Sequence, residues 1–237
     1  MRKTITLILV GASLSLLLLN TVQAQEEGTS TLITDTQIDP KSKTAARYVP
    51  TYSNYCSAVM ITSKVGLTAR HCVGNQNKEG YIGAVYPGQS GLQTPFGMMN
   101  ISSYIPDNAE DIAVIKGTDS DMSSDYRKYL KDITTDISSF SLEDLKMLKG
   151  KRVYSYGYPD RSLTGYKQYK SRGIITNYNP ITRQISANMP SRPGQSGSGV
   201  FLEEGDKFLG VLQGQSKNES IVTPIDKRLA DWINKNK

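Results

Sequence analysis

The sequence predicts an all-β domain, a sandwich or a barrel, closed by one C-terminal helix. Three observations predict it. From Cys56 onward, short runs rich in Val, Ile and Tyr recur between Gly, Pro, Asn and Asp. No long helical segment alternates with them, which argues against a parallel α/β sheet. Only the end of the chain, IDKRLADWINKNK, sets Ile225, Leu229, Trp232 and Ile233 at helical spacing.

The elements follow in order. Arg2 and Lys3 precede an apolar run from Ile5 to Leu19, and Val22-Gln23-Ala24 offers small residues at a cleavage site. Residues 1–24 therefore read as a secretory signal peptide cut after Ala24. The run is short for an uncleaved membrane anchor. Cleavage takes away two basic residues and no acid, so the formal charge falls from +6 to about +4. No second run of spanning length follows. The mature chain is expected to be soluble, extracellular and monomeric, without a membrane partner. Residues 25–54 are polar and read as an N-terminal arm, including any propeptide.

Eight stretches then read as strands: CSAVMI, YIGAVY, IAVIK, RVYSYGY, GIITNY, RQISANM, GVFL and FLGVLQ. The polar segment 117–150 reads as the crossing between two halves. Within it, SLEDLKMLKG places Ser141 three residues before Asp144 and ends at Gly150, a short capped helix. The C-terminal helix, 225–237, has Asp226 near its start and Lys235 and Lys237 near its end, which suits the helix dipole. The segments YRKYLK and YKQYKSR mix Tyr with Lys and Arg, a composition that can stack on nucleic acid. Interspersed in a mildly basic chain they read as solvated surface, and no nucleic-acid partner is expected.

The chain holds two cysteines, Cys56 and Cys72. In an exported protein one disulfide is the simple reading, and two free thiols the alternative. With a single histidine, His71, no metal site is expected.

Chemistry centres on SRPGQSGSGVF, residues 191–201. Glycines at 194, 197 and 199 sit between strand-like sequence, unlike a flexible linker. Glycine permits positive φ and lets N–H groups at Gly194 and Ser196 point together toward a developing oxyanion. Ser196 is then a candidate nucleophile, and it needs a base. His71, in LTARHCVG, is the only imidazole. A base in turn needs an acid to fix its tautomer. Asp111 abuts the apolar run of EDIAVIK, with Asp107 and Glu110 as rivals. The order His, Asp, Ser differs from the Ser, Asp, His of α/β-hydrolases.

Together LTARHCV, DIAVIK and PGQSGSGVF resemble the chymotrypsin-like serine proteases. GYPD at 157–160 and KSRGIIT at 170–176 are similar to the bacterial branch of glutamyl endopeptidases and exfoliative toxins. So is the nucleophile loop, with Gly199 where most relatives carry proline. The likeness spans about residues 50–235 and supports the Cys56–Cys72 pairing. It implies two six-stranded antiparallel Greek-key β-barrels, the first over 55–135 and the second, with its linker, over 136–224. It implies a secreted endopeptidase acting through an acyl-enzyme on a protein or peptide substrate, with no cofactor. In that scheme His71 is the general base, Asp111 orients it, and the N–H groups of Gly194 and Ser196 hold the oxyanion.

Two positions depart from the family. Gln195 replaces the aspartate that, in animal relatives, pairs with a new N-terminus. Leu212 stands where glutamate-specific relatives carry histidine. A pocket of Ser191 and Leu212 offers no fixed positive charge, so a neutral or apolar residue is expected before the cut bond. Nearby Arg192 bears on that expectation. The rival expectation is a protease-like toxin or binding protein with little or no turnover.

Overall fold

The computed structural model describes residues 27–51, 55–160 and 164–237; the expected signal peptide lies outside them. Thirteen strands and three α-helices make up the described chain. The strands are β1 (Thr29–Leu32), β2 (Ala45–Pro50), β3 (Cys56–Met60), β4 (Val65–Thr68), β5 (Lys78–Pro87), β6 (Met99–Pro106) and β7 (Ala113–Lys116). After them come β8 (Arg152–Gly157), β9 (Tyr169–Asn179), β10 (Gln184–Ala187), β11 (Gly199–Leu202), β12 (Phe208–Ser216) and β13 (Glu219–Pro224). The helices are α1 (Ser124–Leu130), α2 (Leu142–Lys146) and α3 (Lys227–Asn236).

β2-β3-β4-β7-β6-β5 close into one antiparallel barrel. β8-β9-β10-β13-β12-β11 close into the second, because β8 pairs with both β9 and β11. β1 pairs with β9 from Thr29↔Arg172 to Leu32↔Tyr169, continuing the β9 edge beyond β10. The expected arm is thus not free of the barrels. Its residues 29–32 extend the second, and residues 45–50 supply a full strand of the first. Ala46, Tyr48 and Pro50 are buried in alternation along β2, a period of two.

Three apolar clusters result. Tyr48, Met60, Met99, Ile101, Tyr104 and Ile115 fill the first barrel, with Tyr126 and Leu130 of α1 packed on it. Val153, Ile175, Ile185, Leu209, Leu212 and Val222 fill the second. Between the barrels, Val59, Ile61, Leu67 and Val114 meet Tyr154, Phe201 and Val211; Ile225, just before α3, and Leu229 and Ile233 of α3 join them. This middle layer explains why β3 is buried at every residue: one face fills a barrel and the other its neighbour. Trp232 packs partly buried against the same layer.

The helix ends follow the sequence signals. Ser141 Oγ accepts from Asp144 N–H at 3.1 Å, and Asp144 Oδ2 accepts from Ser141 N–H at 2.9 Å. Asp226 Oδ1 accepts from Leu229 N–H at 2.8 Å, starting α3. Among the described residues no helix is long and apolar enough to cross a membrane.

Candidate active site

The loop of residues 191–198 is rigid, and its own hydrogen bonds make it so. Gln195 N–H donates to Arg192 O at 3.1 Å, Ser198 N–H to Gln195 O at 3.0 Å, and Gly197 N–H to Leu212 O at 2.8 Å. The buried Gln195 side chain takes Arg192 N–H on its Oε1 at 2.8 Å. Gly197 has φ +91°, and a Cβ there would lie 2.0 Å from Ser57 O, so both backbone angle and space demand glycine. Gly194, at φ +92°, likewise sits in the left-handed region. The N–H groups of Gly194 and Ser196 find no acceptor among the described residues, whereas those of Gln195, Gly197 and Ser198 do.

His71 lies on a single 3-10 turn, Arg70–Cys72, that follows β4. A disulfide joins Cys72 to Cys56 at the start of β3, with Cα atoms 6.3 Å apart. A ring nitrogen of His71 and both sulfurs lie within 4.8 Å of one another. The sulfurs are spent in the disulfide and offer no thiolate to a metal. Asp111 grips His71 twice: Oδ1 accepts the backbone N–H at 2.9 Å, and Oδ2 lies 2.7 Å from Nδ1. A proton on Nδ1 in that contact leaves Nε2 with its lone pair outward. The hydrogen bond to Asp111 raises the His71 pKa; burial opposes this and the Asp111 charge adds to it. Burial alone would raise Asp111, but hydrogen bonds from His71 and the charges of His71 and Arg70 hold it below the usual carboxylate value.

The two rival acids have other partners. Asp107 forms a bidentate pair with Arg228 of α3, at 2.8 and 3.1 Å. Its Oδ1 also accepts N–H from Ala109 and Glu110, tying the turn that ends in Asp111. Arg70 donates to Asp107 O at 2.9 Å. Glu110 faces Arg183 at 3.7 Å.

Ser196 reaches this group from the second barrel. Its carbonyl accepts Ser57 N–H at 2.8 Å, one residue past the disulfide. The space of a Cβ on Gly197 would touch Ala69 N at 3.1 Å, two residues before His71. The Ser196 hydroxyl donates to Gln213 O at 2.8 Å rather than to the imidazole. The loop thus meets β3 and the start of the His71 turn, with the His71–Asp111 bond made and the Ser196 hydroxyl donating to β12.

Ser191 is buried, 2.8 Å from Ser220 Oγ and 3.5 Å from Gly214 O. Ser220 Oγ also donates to Met189 O at 2.5 Å. Leu212 is sealed in the second barrel with Val222 and Met189. Arg192 is exposed. A cavity of about 420 Å³ is lined by Cys72 and Val73, which follow His71, and by Lys78 and Tyr81.

Sequence reasoning missed several supports. Ser57 Oγ donates to Gly194 O at 2.9 Å and accepts Tyr158 N–H at 3.0 Å, linking both barrels to the loop. Thr68 Oγ1 donates to Ser57 O. Gln213 serves through its carbonyl, which no residue type announces, and Arg228 meets Asp107 across 121 positions.

Comparison with known proteins completes the description. A family model described as "Trypsin-like peptidase domain" matches residues 56–211. No curated protein matches in sequence. Among solved structures, the chain is similar to a Glu endopeptidase in complex with MPD, at TM-score 0.71 and 20% identity, covering 90% of this chain and 97% of that one. It is similar to the protease Anisep from Arthrobacter nicotinovorans, at 0.61 and 18%, covering 87% and 98%. A scabies mite inactivated protease paralogue is similar at 0.64 and 16%, covering 84% and 95%.

Proposed function

The chain belongs to the trypsin-like peptidase domain family and is a serine endopeptidase, and from that premise we propose that it is secreted and cuts proteins through an acyl-enzyme on Ser196. The observation that carries this is the doubly bonded His71–Asp111 pair beside a loop with two unused N–H donors.

In this reading Ser196 turns about its Cα–Cβ bond from Gln213 O to His71 Nε2. His71 takes the hydroxyl proton as Oγ attacks the carbonyl carbon, and Asp111 stabilises the imidazolium. The N–H groups of Gly194 and Ser196 receive the oxyanion. The C–N bond breaks as His71 returns the proton to the leaving amine. Water repeats the sequence on the ester. The residue before the cut bond enters beside Ser191 and Ser220, while Leu212, expected in this pocket, packs into the barrel core. No cation stands among these side chains, so a neutral residue is preferred over glutamate. The Cys56–Cys72 bond supports export, since disulfides persist in oxidising compartments.

One observation favours a second reading, a binding protein on this scaffold: the serine proton rests on Gln213 O. A fluorophosphonate separates the two. Labelling of Ser196, lost in Ser196→Ala and in His71→Ala, is expected. Protein that is folded, resists the reagent and leaves a proteome-derived peptide library uncut overturns the enzyme reading. The same digest reads the residue before the cut bond, and a dominant glutamate there overturns the neutral pocket.

A further inference from the structure

Two enclosed acids near the site each have an opposite charge beside them: Asp107 has Arg228, and Asp111 has His71. Arg47 does not. It projects outward from β2, between buried Ala46 and Tyr48. Its guanidinium carbon lies 4.3 Å from the ring centre of Tyr166, 4.9 Å from Tyr86 and 5.7 Å from Tyr55. Nε donates to Oε1 of the buried Gln89 at 2.6 Å, and Gln89 is itself held by Gly91 O at 2.8 Å. Among the described residues no carboxylate meets Arg47 and its terminal nitrogens find no acceptor. Its electrostatic neighbours are tyrosines, and burial lowers its pKa against their pull.

The group lies at the edge of the candidate site. A Cβ on Gly194 would sit 2.8 Å from a ring carbon of Tyr55, so that ring borders the oxyanion loop. Tyr55 also meets Tyr166 edge-on at 5.6 Å, and its hydroxyl donates to Pro159 O at 2.6 Å. The loop has two ends with different neighbours. Ser191 contacts Gly214 and Ser220 of the second barrel, which in our reading receive the acyl half of the substrate. Gly194 contacts Tyr55 and Ser57, next to the disulfide and His71, which protonates the leaving amine. The departing half therefore runs past Tyr55. Tyr55, Tyr86, Arg47 and Tyr166 are all partly exposed, so the rings open to solvent.

We propose that Arg47, framed by Tyr55, Tyr86 and Tyr166, is a specificity subsite for an acidic side chain on the leaving-group side of the cut bond. The inference rests on the endopeptidase reading for its location. The rings desolvate the guanidinium and fix its plane, and ring faces repay only part of that cost. A carboxylate completes the arrangement through two parallel N–H donors, which a lysine does not match.

Internally quenched peptides test this. They share one sequence up to the cut bond and carry Glu, Asp, Gln or Asn at each of the next three positions. Wild-type protein is expected to favour the acid over its amide by about 10-fold in kcat/KM, and less in high salt. Arg47→Gln is expected to bring that ratio to about one, and Arg47→Lys to keep part of it. Tyr166→Leu serves as a second variant should Arg47→Gln fail to fold. Equal preference in wild type and variant, or none in wild type, overturns the subsite. Should no peptide be cut, the acidic and amide leaving-half peptides are titrated into Ser196→Ala protein and followed by its tyrosine fluorescence. Selective binding of the acid lost in Arg47→Gln keeps the subsite and overturns only the endopeptidase reading. Equal binding overturns the subsite.

Discussion

At the scale of single residues, the lone imidazole is set by its acid. The Asp111 bond raises the His71 pKa above 6.5, so the neutral base appears only at higher pH. Activity is expected to rise through an acid limb lying above the ordinary imidazole value, measured as kcat/KM against pH. Stability runs the other way. The pair's contribution is complete below the unfolded imidazole pKa and is lost as pH rises through the raised one. Asp111→Asn is expected to lower the limb and to cut kcat on the order of 10⁴-fold, because the amide stabilises the wrong tautomer. An unchanged limb in that variant contradicts the assignment. Ser196→Ala combined with His71→Ala is expected to cost no more than either alone, since the two act as a unit.

At the scale of elements, a turn and a loop place these groups. The Asp107–Asp111 turn is held from α3 by Arg228 and from the His71 turn by Arg70. The Asp107 side chain is only 4% exposed while that of Arg228 is 41% exposed. Breaking the pair therefore costs less than in a fully buried one, about 1–2 kcal/mol after solvent screening. Arg228→Gln is expected to lower the unfolding free energy by that amount and also kcat, by loosening Asp111. Arg228→Lys should rescue it in part, because lysine lacks the bidentate fork. Full kcat in Arg228→Gln would separate the clamp from catalysis. In the 191–198 loop, Gly197→Ala brings a Cβ against Ser57 O and strains φ. Fluorophosphonate labelling of that variant is expected to fall even where the protein stays folded.

At the scale of the whole molecule, one apolar layer belongs to neither barrel alone. Leu229 of α3 is 1% exposed between them, and Leu229→Ala is expected to cost about 3 kcal/mol by chemical denaturation. Reducing Cys56–Cys72, which closes a 16-residue separation, is expected to cost about 3 kcal/mol and to reduce activity by freeing the His71 turn. Much of this was legible beforehand. The eight strand-like runs are strands, because alternating or continuous Val, Ile and Tyr between turn residues is a local pattern. The caps at Ser141 and Asp226 are equally local. β1, β2, β4, β6 and β13 escaped notice because polar or glycine-containing segments such as VGLT and ESIVTP form strands only where neighbours complete their ladders. The α1 helix, in the polar crossing, is fixed by packing Tyr126 and Leu130 on the first barrel. At the site, residue type and order nominated His71, Asp111 and Ser196, and only the glycines of one loop foretold its backbone. The sequence by itself determined which chemical groups the protein owns: one imidazole, one cysteine pair and a serine between glycines. Tertiary structure alone decided that Asp111 rather than Asp107 meets His71, that the Ser196 proton rests on Gln213 O, and that Arg47 lacks a counter-charge. Each is a contact between chain segments far apart in sequence, and hydrogen bonds and ion pairs depend on distances that local pattern does not encode.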